Sequence, residues 1–102
     1  MSRILIAEDE ERISSFVDKG LRAAGFTTIV AASGDDALSF ALSGSVDLVL
    51  LDIGLPGIDG FEVLRRLREV DTALPVIMLT ARTSVTDTVA GAEVAPAGSL
   101  AV

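Results

Sequence analysis

The chain has 102 residues, is half hydrophobic, carries a net charge of -7 with only 8 Lys and Arg, and contains neither Cys nor His. That suffices for one domain with a real core. It is too acidic for a basic nucleic-acid footprint or for binding an anionic membrane surface, and it rules out disulfides, thiolate metal sites, imidazole bases and phosphohistidine.

Ile4-Leu5-Ile6-Ala7 is a continuous apolar run that stops at Glu8-Asp9-Glu10-Glu11. Apolar on both faces, it predicts a central strand of a covered parallel sheet. Acid arrives too soon after Met1 for a signal peptide, and no apolar run reaches membrane-spanning length, so a cytoplasmic protein is expected. Ile13, Phe16, Val17, Leu21 and Ala24 recur at helical spacing and are expected to face inward. Gly25 stands where a helix-ending glycine belongs. Residues 26–32 read as a second strand, and Thr27-Thr28 fits an edge better than a centre. Ser33 is an N-cap for a helix with Ala37, Leu38, Ala41 and Leu42 inward. Val46 to Leu51 reads as a buried strand with Asp52 at its carboxyl end, followed by a loop rich in Gly and Pro. Asp59 with Glu62 three places on resembles a capping box. It opens a helix with Phe61, Leu64 and Leu67 inward and Arg65, Arg66, Arg68 and Glu69 outward. Pro75 to Thr80 is a fourth strand that ends in a hydroxyl. Ser84 is expected to cap a weaker helix through Val85, Val89 and Ala92, and Ser99 to Val102 suggests a short fifth strand. This alternation predicts a doubly wound parallel α/β sheet with right-handed crossovers.

Three predicted strands end in polar groups, at Glu8-Asp9, Asp52 and Thr80, and in a doubly wound sheet those ends converge on one rim. Taken singly, each has a plain structural reading: Glu8-Asp9 as loop acids, Asp52 as a turn cap, Thr80 as a β-former, Asp59 as a cap and Arg82 as a solvated side chain. Their agreement at successive strand ends favours a site, with Asp52 as a nucleophile or a metal ligand. Three clustered carboxylates repel one another, and a hard divalent cation such as Mg²⁺ relieves that repulsion. With a cation present, an Asp52 oxygen can attack a phosphoryl donor to give an acyl phosphate, and the Thr80 hydroxyl can donate to the transferring group.

With these residues in place, the chain resembles the receiver domain of bacterial two-component response regulators, nearest the winged-helix transcription-factor branch. The matching segments are Ile4 to Glu10, Asp47 to Gly57, Asp59 to Leu64 and Pro75 to Arg82, within about residues 3–91. The resemblance implies a flavodoxin-like sheet of strand order 2-1-3-4-5 and implies that Asp52 accepts phosphate from a sensor histidine kinase. It implies Mg²⁺ held by Asp9, Asp52 and the backbone carbonyl of Gly54, with Glu8 assisting through water. Thr80 would contact the phosphoryl group, the small Ala81 would leave it access, and Pro56-Gly57 would shape the adjoining loop.

The chain also departs from that family. The family's Lys at the end of the fifth strand falls on Val102, its switch aromatic on Ser99, and the chain's single Lys is Lys19. Loss of one charge-assisted contact, a class worth about 1.5–3 kcal/mol, implies slower or less stabilising phosphorylation. The fifth strand is expected to be short or altered and the fifth helix missing. Residues 1–102 are thus read as one receiver domain, incomplete at its C-terminal end and without an output domain. A sheet face bared of three or four large side chains, each worth about 1.5–3 kcal/mol, is expected to be covered in a homodimer or an element-exchanged oligomer. The function expected is a phosphoacceptor within a transcriptional regulator, not an enzyme beyond Mg²⁺-dependent self-phosphorylation and autodephosphorylation, with no direct contact of this chain to nucleic acid. The alternative is a truncated receiver-like module acting by protein–protein association without phosphorylation. A phosphatase is disfavoured, because Asp52-Ile53-Gly54 lacks a second acid two residues on and no Gly-rich phosphate loop with a Lys is present.

Overall fold

A computed structural model describes residues 2–79 and the pair 100–101. In chain order these form β1 (Arg3–Ala7), α1 (Glu11–Ala23), β2 (Thr27–Ala31), α2 (Gly34–Leu42), β3 (Leu48–Asp52), α3 (Gly60–Val70), β4 (Val76–Leu79) and β5 (Leu100–Ala101). The strands are parallel and ordered β2-β1-β3-β4-β5, the flavodoxin-like arrangement expected. The Thr-containing β2 stands at an edge, and the wholly apolar stretches of β1 and β3 lie inside, where both faces are covered. The fifth strand is short: Leu100 pairs with Ile77 and Ala101 with Met78. Thr80, Ala81, Arg82 and the helix expected after Ser84 lie outside the described residues, as does Ser99.

Alternate residues of each strand point to opposite faces. Leu5 and Ala7 of β1, Val49 and Leu51 of β3, and Val76 and Met78 of β4 form one buried cluster with Ala37 and Ala41 of α2 and Val63, Leu64 and Leu67 of α3. Two alanines on α2 allow that helix to lie close against β1 and α3. Ser33 accepts the Asp36 N–H at 3.2 Å and Asp59 accepts the Glu62 N–H at 2.9 Å, so both expected N-caps form. The Glu62 carboxylate turns to Arg65 and Arg66, each at 2.6 Å.

Helix α1 packs on β1 and β2, and its azimuth differs from the expected one. Its sheet-side stripe is Ser14, Val17, Asp18 and Leu21, at steps of three and four. Ile13 and Phe16 were expected inward, yet they are 40% and 80% exposed, and Ala24 is exposed as well. The sheet side of α1 also carries a polar clamp. Thr28 of β2 donates to the Asp18 carboxylate, and Arg22 Nε donates to Asp18 at 3.0 Å and to Thr28 at 3.1 Å. The clamp joins α1 to β2 through Asp18, and Ile13 and Phe16 lie on the flank of the helix.

Candidate functional site: an acidic rim at the strand ends

Ala7 of β1 and Leu51 of β3 are register partners on adjacent parallel strands. The next residue on each strand, Glu8 and Asp52, therefore leaves the sheet side by side at its carboxyl edge. Glu8, Asp9 and Asp52 bring carboxylate oxygens within 4.8 Å of one another. Their depths differ: Glu8 is only 5% exposed, Asp52 is half-buried and Asp9 is open to solvent.

Two backbone groups hold Glu8 in place. Its N–H donates to the Ala31 carbonyl at 3.0 Å, and its Oε2 accepts the Glu10 N–H at 3.0 Å. Burial pushes the Glu8 carboxyl above the usual carboxylate range, the Glu10 amide pulls it back in part, and the charge of Asp52 pushes it up again.

The loop after Asp52 is short and tied at both ends. Ile53 N–H donates to the Leu79 carbonyl at 3.3 Å, and Gly60 N–H donates to the Ile53 carbonyl at 2.8 Å. Gly54 passes beside the Asp52 carboxylate, since a Cβ at Gly54 would lie 3.9 Å from Asp52 Oδ2. The clustered side chains Glu8, Asp9 and Asp52 offer carboxylate oxygens, a donor type that suits a hard cation.

Four of the residues singled out in the sequence, Glu8, Asp9, Asp52 and Gly54, thus come together, while Thr80 and Ala81 fall outside the described residues. Two residues of the site were not found by sequence reading: Gly34 and Gly60, which pack against the loop that follows Asp52. Their only signal was a small residue at the start of each flanking helix.

Residues 4–101 match the response regulator receiver domain, and the chain belongs to that family. Such a domain is the phosphoacceptor of a response regulator: it takes a phosphoryl group from a histidine kinase, binds Mg²⁺ through acidic residues, and is not a classical enzyme. Among its relatives, the transcriptional regulatory protein YkoG of Bacillus subtilis is 46% identical over 91 residues, which span 89% of this chain and 40% of that protein. The chain thus spans about two fifths of the length of this curated relative. Among solved structures, the response regulator TrrA of Thermotoga maritima in complex with Mg²⁺ and BeF superposes with a TM-score of 0.85 at 33% identity, covering 100% of this chain and 86% of that one. A complex of the histidine kinase ThkA with TrrA matches with a TM-score of 0.76 at 38% identity, covering 83% of this chain and 73% of that one. Among the described residues, no helix is long and apolar enough to cross a membrane.

Proposed function

We propose that Asp52 is the phosphoacceptor of this receiver domain and takes its phosphoryl group from a sensor histidine kinase, as part of a cytoplasmic transcriptional regulator. One observation carries the reading: Glu8, Asp9 and Asp52 converge within 4.8 Å at the carboxyl ends of adjacent strands. Asp9, Asp52 and the backbone carbonyl of Gly54 would hold Mg²⁺, with Glu8 acting through water. When bound, that ion offsets charge on the transferring phosphoryl group.

The remaining work falls to the chain's own groups. Half-buried Asp52 presents an oxygen that solvent and a donor can reach. In the transfer, that oxygen forms a P–O bond as the P–N bond of the kinase phosphohistidine breaks, and the leaving imidazole nitrogen takes a proton. Glu8, buried behind Asp52, adds negative charge that favours the cation. Thr80 directly follows Leu79, the register partner of Asp52, a sequence position suited to a hydroxyl donor for the phosphoryl oxygens. Ala81, next in sequence, supplies little bulk. Hydrolysis of the Asp52 acyl phosphate would end the signal.

The test is intact mass after incubation with Mg²⁺ and a small acyl phosphate, for the wild type and for Asp52→Asn. The reading expects a gain of one phosphoryl group that disappears in EDTA and in Asp52→Asn. A folded wild type that gains none, or a gain that persists in Asp52→Asn, would refute it.

A second reading draws on the α1 flank, where Phe16 is 80% exposed. Here residues 1–102 act by association, as a homodimer or an element-exchanged oligomer, independently of phosphate. Sedimentation velocity on Asp52→Asn and Phe16→Ser separates the two. Association that survives Asp52→Asn and is lost in Phe16→Ser supports this second reading, and a monomer throughout rejects it.

A further inference from the structure

The loop from Ile53 to Asp59 carries the Gly54 carbonyl, and its ends are fixed by β3 and α3. Its middle is held by α2. Gly34, the first residue of α2, donates its N–H to the Pro56 carbonyl at 3.0 Å. That N–H is one of the helix-terminal donors with no partner inside the helix, and here the loop supplies the partner. The contact is closer than a hydrogen bond alone requires. A Cβ on Gly34 would overlap the Ile58 carbonyl oxygen and lie 2.7 Å from Ile58 Cγ1 and 2.8 Å from the Ile58 carbonyl carbon. One residue along α2, Asp35 closes on the same loop, because a Cβ on Gly57 would stand 2.7 Å from Asp35 Oδ2. Gly57 itself has φ +80°, the left-handed region that favours glycine.

Gly34 differs from Gly57 in one respect. Its φ does not lie in the left-handed region, so an L residue is allowed there on conformational grounds, and Ala is the better helix former. The glycine is needed only for space, and the space is filled by the loop that carries the proposed Gly54 ligand.

We propose that Gly34 is a positioning residue for this site: by lacking a Cβ it seats α2 on the Pro56–Ile58 segment and fixes Gly54 beside Asp52. The proposal rests on the phosphoacceptor reading above, with Mg²⁺ as the ion. Linkage makes it reciprocal. If the Gly34 contact favours the binding geometry, the bound ion must in turn strengthen the Gly34 contact.

The experiment is a Mg²⁺ titration of the ¹⁵N-labelled 102-residue chain, followed through its backbone amide resonances, with Gly34→Ala and Gly20→Ala alongside. Gly20 lies within α1 with nothing within 4 Å of its would-be Cβ, which makes it the control. The wild type should saturate, and so should Gly20→Ala with the same Kd. Gly34→Ala should bind about tenfold more weakly, the usual cost of losing a group that orients a metal ligand, while its spectrum stays that of a folded domain. A folded Gly34→Ala with wild-type affinity overturns the proposal. Amide exchange in the unsubstituted chain keeps the test decisive if Gly34→Ala fails to fold. At ten times Kd, Mg²⁺ should slow exchange of the Gly34 amide by about tenfold and leave Gly44, at the far end of α2, unchanged. Equal Gly34 exchange with and without Mg²⁺ also overturns the proposal. A wild type with no saturable Mg²⁺ shift sinks the phosphoacceptor reading itself, and the proposal with it.

Discussion

Glu8→Gln should raise the stability of the metal-free domain and weaken its response to Mg²⁺. The oxygens of Glu8, Asp9 and Asp52 lie within 4.8 Å of one another. At that limit a like-charged pair costs about 1 kcal/mol at the dielectric of water and about 3.5 kcal/mol at an effective value near 20. Burial adds to the cost at Glu8, and the Glu10 N–H at 3.0 Å offsets part of it. Gln keeps that acceptor and removes the charge, so the expected gain above neutral pH in EDTA is about 1–2 kcal/mol. Saturating Mg²⁺ should stabilise the wild type more than the variant, which narrows or reverses the order. The pH dependence has a definite sign. Because the folded-state pKa of Glu8 is raised, its contribution is fully present below the unfolded value and is lost as pH rises through the folded one. The metal-free wild type should therefore lose stability with rising pH across that window, and Glu8→Gln should not. Urea unfolding followed by circular dichroism, at several pH values with EDTA or Mg²⁺, reads both effects. A Glu8→Gln variant less stable than the wild type in EDTA above neutral pH would refute the reasoning, since Glu8 would then be held by its partners rather than strained by its neighbours.

Two further predictions concern the scaffold. Gly60→Ala places a Cβ 2.8 Å from Ile53 Cα and 3.0 Å from the Asp52 carbonyl carbon, an overpacking that should cost about 1–3 kcal/mol. Gly20→Ala meets nothing within 4 Å and should gain about 0.8–1.0 kcal/mol, so the two urea midpoints move in opposite directions. Hydrogen bonds from Arg65 and Arg66 lower the Glu62 carboxyl to about 2. The associated stability is present above the ordinary carboxylate value and fades as pH falls through about 2. A carboxyl-detected NMR titration should show that midpoint, and Arg65→Ala with Arg66→Ala should return it towards the ordinary range.

The strands and the acidic rim were legible in the sequence for related reasons. A strand covered on both faces reads as an unbroken apolar run, as Ile4 to Ala7 and Leu48 to Leu51 do, and the polar residue that ends each run marks the carboxyl edge. Parallel pairing of β1 with β3 then brings Glu8 and Asp52 together. The azimuth of α1 was not legible. Apolar spacing groups Ile13, Phe16 and Val17 on one side, but the polar Ser14 and Asp18 share the sheet side with Val17 and Leu21 and Asp18 bonds to Thr28, and local periodicity does not register a partner on the next strand. Nor did the sequence distinguish Glu8, which is buried, from its exposed neighbour Asp9. The roles of Gly34 and Gly60 depend on which backbone lies against each Cα, which becomes visible only when the loop is in place.

The depths of the three acids explain how one small rim can both hold charge and release it. A fully exposed carboxylate is screened by water and grips a cation weakly, and a fully buried one is beyond the reach of a phosphoryl donor. Asp52 lies between these limits, on a strand whose Val49 and Leu51 are anchored in the main core. Buried Glu8 adds unfavourable local charge that a cation would relieve on the proposed reading, and the core beneath β1 and β3 carries the fold. Phe16 raises a separate demand for relief: an aromatic ring 80% exposed on α1 forgoes burial that is worth about 1.5–3 kcal/mol for such a side chain. The two unfavourable features differ in chemistry. A hard cation relieves the first and does nothing for the second, whereas an apolar protein surface does the reverse. Titrations with Mg²⁺ and with protein concentration can therefore be read independently, one at the strand ends and the other on the flank of α1.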